Sequence, residues 1–432
     1  MQRFTRNRTR SGVALLASLG LTAGAVSLGA TPPAAATPPY HSVGVECTTA
    51  TNGRFDLSTH DGYILLPDGT TAYMWGYSSG GGGFQHPGPV LCVNQGDTVT
   101  VSLHNNLAEP VSIVFPGQEG VLANGAPAQP TFGGGSLNSL TKAAAAGGGS
   151  VTYSFVATHP GTFLYESGTD PAKQVRMGLF GALIVRPTMG PNFAYNRADS
   201  RFNPATEFLG LLSEIDPYLN AAVEAGEPFN MARWHPRYWL MNGRGFPDAI
   251  ADNHASWLPT QPYGALAEIL PYDASTNPDP ALTRYLSVGT EDYPFHPHGN
   301  NGRVIGRDGM PVEGPTGQDI SFEKFSLPVG PGQTWDVLFD WKDDNNYSLD
   351  NPVNVTVPNL QNLEVGMFYG GTPYLGVPGT LPPGFSSQNE CGEFYIIAHN
   401  HALYQITSWG VNMTGPITYT RVDPPEPNTC AA

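Results

Sequence analysis

Val90-Leu91-Cys92-Val93, then Asn94-Gln95-Gly96-Asp97, then Thr98-Val99-Thr100-Val101-Ser102: two short β-prone runs with a turn between them. Asn, Gly and Asp are turn formers, and Val and Thr suit a pleated strand. The same alternation extends outward, with a strand at Ser150 to Val156 and a turn at His159-Pro160-Gly161. Across the chain, 52 Gly and 41 Pro punctuate such runs, and only 13% of residues are charged. Frequent turns between short strands predict an all-β protein of sandwiches or barrels. The 432 residues fit two domains, with three as the upper bound.

The first 36 residues read as a secretory signal peptide. Arg3, Arg6, Arg8 and Arg10 precede an apolar run from Gly12 to about Ala30, and small residues end at Ala34-Ala35-Ala36. A membrane anchor is the alternative, but the run is rich in Gly, Ala, Ser and Thr, and no later segment reaches the ~18 apolar residues a span needs. The expected product is secreted and extracellular, with no membrane partner. Removing the four Arg takes the formal charge from −16 to −20. Such acidity argues against nucleic acid as a partner and suits solubility or the attraction of cations.

The first β domain spans 40–187. A linker follows at 188–204, where Pro187, Pro191 and Pro204 punctuate a stretch without apolar period. The second β domain spans 205–422, with strands at Phe208 to Leu212, Leu282 to Val288, Trp335 to Phe339 and Phe394 to Ala398, and room for a short helix within Ser213 to Gly226. An excursion at about 341–390, rich in Pro, Gly and Asn, is an insertion loop or a lid. A tail closes the chain at 423–432. Trp234, Tyr238 and Trp239 around His235 read as surface aromatics that either mark a ligand cleft or pack between domains.

Cys47, Cys92, Cys391 and Cys430 are even in number, as disulfides in an exported protein require. Of three pairings, Cys47–Cys92 and Cys391–Cys430 keep each bridge within one domain. The sharpest chemical signals are His296-Pro297-His298 and His399-Asn400-His401. In a strand, residues i and i+2 share a face, so each pair presents two imidazoles side by side. With 11 His in 432 residues, chance gives roughly 0.3 such pairs. Four converging imidazoles suit copper or zinc; hydrogen-bonded loop histidines are the alternative.

At these residues the chain resembles the multicopper oxidases. Pro87-Gly88-Pro89-Val90 through Val99, and His104-Asn105-Asn106-Leu107 to Ile113, resemble the family's first-domain opening. Gly161-Thr162-Phe163-Leu164-Tyr165 and Gly178 to Val185 resemble that domain's end. Met241 to Asp248, Leu282 to Gly309 and Leu327 to Asp336 resemble second-domain segments. The resemblance implies two cupredoxin-like Greek-key sandwiches, a type 1 copper held by Cys, two His and an axial ligand, and a three-copper cluster held by four His-x-His pairs.

Departures from that pattern are concentrated. Tyr293, Asn400 and Gln405 stand where the type 1 ligands belong, with Gly410 near the axial place. The first domain's two His pairs appear as Val114-Phe115-Pro116 and Glu166-Ser167-Gly168. His296, His298, His399 and His401 remain, with Glu166 as a fifth candidate ligand. The expectation is a copper-binding protein, zinc being the other metal that fits, with no type 1 copper and a small-molecule substrate if it catalyses. Two-domain relatives assemble as trimers, so a homotrimer is expected by analogy. Oxidoreductase, copper carrier and metal-free binding protein are the three classes left open.

Overall fold

The computed structural model describes residues 42–51, 53–342, 394–408, 414–423 and 425. The signal segment, most of the 341–390 excursion, Gly410, Cys391 and Cys430 lie outside the described residues.

Strand Leu91–Asn94 lies between Thr48–Thr49 and Phe180–Arg186, and Gly161–Glu166 closes this four-stranded sheet. Facing it is a six-stranded sheet ordered Thr71–Ser79, Arg54–Leu65, Thr98–Asn105, Gly149–Val156, Leu122–Ala123, Ala126–Pro127. Period-two burial along Arg54–Leu65 and Thr98–Asn105 turns Phe55, Leu57, Val99, Val101 and Leu103 inward. They meet Phe115, Tyr153, Phe163 and Leu183 in one core, the arrangement of a sandwich whose sheets share their apolar faces. Cys47 and Cys92 form a disulfide that ties the edge strand to its neighbour.

The second pair of sheets is built from residues after 206. One has seven strands, with Glu207–Ile215, Ala281–Ser287 and Thr334–Phe339 at its centre. The other has five, ordered Ala267–Ile269, Ile417–Val422, Phe394–Asn400, Tyr293–Pro297, Leu327–Val329. The expected helix is Pro217–Glu224, capped by Asp216, whose carboxylate accepts the Tyr218 amide at 3.0 Å. No helix among the described residues is long and apolar enough to cross a membrane.

Contacts across the sandwiches make the described residues after 41 one compact unit. The stretch 188–204 is a packed strap: Ala194, Tyr195 and Phe202 are buried against Leu282, Ile305 and Leu338. Fully buried Arg284 donates to Glu207 at 2.5 Å, to Thr162 at 2.8 Å and to Asp336 at 3.3 Å. Asp336 also accepts from Thr162 and from Tyr195, each at 2.5 Å. Two carboxylates and the Thr162 hydroxyl partner this guanidinium, which is what makes its burial tolerable, while its Nη2 has no hydrogen-bond partner among the described residues. The aromatics near His235 pack between sandwiches: Arg176 stacks on Trp234 at 4.2 Å, and the Tyr238 hydroxyl donates to Asp68 at 2.7 Å. Trp239 is wholly buried rather than superficial.

Candidate metal centre

Strands Tyr293–Pro297 and Phe394–Asn400 run antiparallel with His296 directly opposite His399. The His298 amide donates to Ile397 O at 3.0 Å, and the His401 amide to Pro294 O at 2.8 Å. These bonds continue the same register past both strand ends, so His298 and His401 project from the face that carries His296 and His399. Ring centroids are 4.5 Å apart for His296 and His298, 5.6 Å for His296 and His399, 5.4 Å for His296 and His401, and 5.1 Å for His298 and His399. His296, His298 and His399 are half-buried and His401 is exposed.

Backbone carbonyls fix two of the rings. His296 Nδ1 lies 2.5 Å from Phe325 O, and His399 Nδ1 lies 2.8 Å from Asn400 O. A carbonyl only accepts, so each Nδ1 carries the proton and each Nε2 keeps its lone pair. This is the outer-shell arrangement that aims an imidazole at a metal. Burial, with the neighbouring His296 and His401, holds His399 below the ordinary imidazole value, which favours the neutral, ligating form.

The donor set fits a divalent ion in chemistry and in its central spacing. His298 Nε2 and His399 Nε2 are 3.0 Å apart, and two imidazole nitrogens sharing one ion at ~2.0 Å stand roughly 2.8 to 3.3 Å apart. Among the described residues, no three His, Cys, Asp or Glu side chains already form a group able to hold a metal ion. Completing the site therefore takes rotation of the outer rings about χ2, a soft torsion.

The opposite face of the same strands is polar where the core would otherwise be apolar. Tyr293, Asn400 and Gln405 are fully buried. The Asn400 amide donates to Gln405 Oε1, and Gln405 Nε2 donates to Glu291 at 2.8 Å. Glu291 also accepts from Trp239 Nε1 at 3.1 Å and from the Tyr404 hydroxyl at 3.2 Å. The Tyr293 hydroxyl donates to Glu214, whose other oxygen accepts the Thr290 amide and, at 2.6 Å, its hydroxyl. Burial raises the Glu214 carboxyl above its usual range.

Glu166 lies on a different sheet from His296 and His399. It ends strand Gly161–Glu166 of the first sandwich and pairs through its backbone with Val114; burial raises its carboxyl as well. The two positions expected to replace first-domain histidines are thus neighbours, on a different sheet from the four imidazoles.

Glu214 and Glu291, absent from the sequence reading, complete the inner network. Glu214 could have been noticed as an acid following the apolar run Phe208 to Leu212 in strand Glu207–Ile215, every residue of which is buried. The Phe325 carbonyl had no such signal, because any residue supplies one.

The multicopper oxidase family model matches residues 62–190. An L-ascorbate oxidase of Cucurbita maxima is 34% identical over 178 residues, 40% of this chain and 28% of that protein. Another, from Brassica rapa subsp. pekinensis, is 27% identical over 307 residues, 69% of this chain and 50% of that protein. The chain thus spans half or less of the length of these curated relatives. Among solved structures, a blue copper oxidase from Nitrosomonas europaea superposes with TM-score 0.58 at 18% identity, covering 88% of this chain and 87% of that one. The multicopper oxidase mgLAC gives 0.57 at the same identity and coverage. Paired β-sandwiches, the family match over residues 62–190 and these relatives agree that the chain is similar to the multicopper oxidases in fold and in part of its sequence.

Proposed function

We propose that this chain is a secreted, copper-binding relative of the multicopper oxidases that holds one divalent copper ion on His296, His298, His399 and His401 and has no type 1 copper. The observation that carries this reading is the quartet itself, with two Nδ1 groups tied to carbonyls and two Nε2 atoms already 3.0 Å apart. Imidazole donors suit copper and zinc alike, and the affinity order for divalent ions favours copper. When bound, copper would supply one-electron redox chemistry; the protein's part is to orient the imidazoles and keep them neutral.

The inner face argues against a second, blue centre. Such a site needs a thiolate, and Asn400, Tyr293 and Gln405 offer amides and a phenol engaged with one another and with Glu214 and Glu291. Relatives named as ascorbate oxidases and laccases support oxidation of a small molecule as the activity class, by a route that does not pass through a thiolate centre. In a homotrimer, Glu166 of one copy would join the histidines of another. A metal-free binding protein is the second reading, since the fold by itself fixes no function.

Titration calorimetry with copper(II) separates the readings. One ion per chain is expected for the wild type, none for the His399→Ala/His401→Ala double variant, and no intense thiolate-to-copper band in the visible spectrum. Equal binding by both proteins rejects the quartet; no binding by the wild type leaves the metal-free reading. Weaker binding by Glu166→Gln, only when the protein is oligomeric, would bring that carboxylate into the site.

A further inference from the structure

Register across the seven-stranded sheet sets Leu282 opposite Leu338, Leu338 opposite Arg303, and Arg303 opposite Glu323, a single row on one face. The strap 188–204 packs on the Leu282 and Leu338 end of that row. Where the strap stops, Arg303 and Glu323 line a cleft of about 300 Å³, a volume within the range of small-molecule sites. Tyr272, Pro278 and Pro280 give it an apolar wall, and buried Leu338 and Phe339 an apolar floor. The histidine quartet is not part of its lining.

The polar groups of the cleft carry both signs, and neighbours hold them. Arg201 meets Asp279 through Nε at 2.9 Å. Arg303 donates through Nη2 to Asp199 O at 3.1 Å, and Asn300 donates to Asp340 at 2.7 Å. Each of these contacts engages part of its group, so guanidinium N–H donors and carboxylate oxygens remain in residues that line the cleft.

We infer that this cleft binds a neutral mono- or disaccharide, at a site that needs no metal and does not rest on the copper reading above. Asp199, Asp279, Glu323 and Asp340 outnumber Arg201 and Arg303 in the lining, so a net anion is repelled. The two guanidiniums in turn oppose a simple cation. A sugar meets both signs without bringing charge. Each hydroxyl donates and accepts, so vicinal hydroxyls satisfy a carboxylate and a guanidinium side by side. Charged partners strengthen such hydrogen bonds. The C–H face of a pyranose is apolar and lies against tyrosine and proline rings, as the wall of this cleft provides. Binding makes and breaks no covalent bond.

Saturation-transfer NMR on the full metal-free chain tests the site, with cellobiose, maltose, xylobiose and diacetylchitobiose as probes. Glycylglycine and spermidine serve as the amphoteric and cationic comparisons. At least one disaccharide is expected to take up saturation, and neither comparison compound. Glu323→Gln and Arg201→Gln, at exposed side chains, should each lower the affinity roughly tenfold by removing a charged hydrogen-bond partner. Their melting temperatures should match the wild type; if Arg201→Gln lowers its own, Glu323→Gln alone decides. The His399→Ala/His401→Ala variant should bind sugar as the wild type does. Silence from all four disaccharides, wild-type affinity in Glu323→Gln, or loss of binding in the histidine variant overturns the saccharide site. Saturation of glycylglycine or spermidine in preference to every sugar overturns it equally, and assigns the cleft to an amphoteric or polyamine ligand.

Discussion

Acid should loosen the junction between the two sandwiches at one residue, His86. Its ring is 1% exposed, and neither nitrogen has a hydrogen-bond partner among the described residues. The ring packs edge-on to Phe180 at 5.3 Å. Two glycines from opposite sandwiches wall it in: a Cβ on Gly178 would meet Nδ1 at 2.7 Å, and one on Gly243 would meet Cδ2 at 3.0 Å. Burial alone pushes the imidazole from its ordinary 6.5 down to about 3. The folded protein therefore keeps His86 neutral at pH values where the unfolded chain protonates it. This stability is fully present above the unfolded value and is lost as pH falls from 6.5 toward 3. Each unit is about 1.36 kcal/mol, so the loss between pH 7 and pH 4.5 is about 2 to 3 kcal/mol, and roughly 4 kcal/mol by the folded value. His86→Leu removes the titration at some constant cost in packing. Urea unfolding followed by tryptophan fluorescence should show the gap between wild type and variant shifting by about 2 to 3 kcal/mol in the variant's favour from pH 7 to pH 4.5. Curves parallel to within about 1 kcal/mol would refute the argument, whatever the absolute stabilities.

Asp336→Ala strips Arg284 of one of its two buried carboxylates and should destabilise by about 3 to 5 kcal/mol, read as a fall in melting temperature larger than that of Asp336→Asn. Gly309→Ala should cost about 1 to 3 kcal/mol, because its Cβ would stand 2.1 Å from Phe163 Cε1 on a backbone at φ +72; an unchanged calorimetric transition would count against this packing. Replacing Cys47 and Cys92 together by Ser opens a loop of 45 residues, worth about 4 kcal/mol on the chain-entropy account, and should lower the urea midpoint accordingly.

Much of this architecture can be read from the chain because strands announce themselves by period two. Val99 and Val101 point inward as their alternation requires, and His296, His298, His399 and His401 share a face for the same reason. What escapes is whatever depends on partners distant in sequence. The strand expected at Phe208 to Leu212 runs on to Ile215, since Glu214 finds Thr290 and Tyr293 and need not end it. The stretch 188–204 lacks period because a strap has none, yet Tyr195 and Phe202 are buried. Trp239 looks superficial beside Pro and Arg, and only pairing of Tyr238–Met241 with Glu207–Ile215 puts it inside.

The two faces of one strand pair explain how a polar network and four histidines coexist. Along Phe394–Asn400 and its continuation, His399 and His401 alternate with Asn400, so exchange of the residue at 400 alters the inner face and leaves the outer one in register. The ladder holds that register through the His298 and His401 amides, which depend on no side chain. An inner site can therefore change from metal ligands to amides, phenols and carboxylates without dispersing the imidazoles outside. In the first sandwich, Val114 and Glu166 sit on their own backbone bridge. Keeping both second-domain pairs beside changed first-domain positions, the pattern the resemblance implies, is what independent faces permit. It is also why the metal reading rests on four residues from a single sheet.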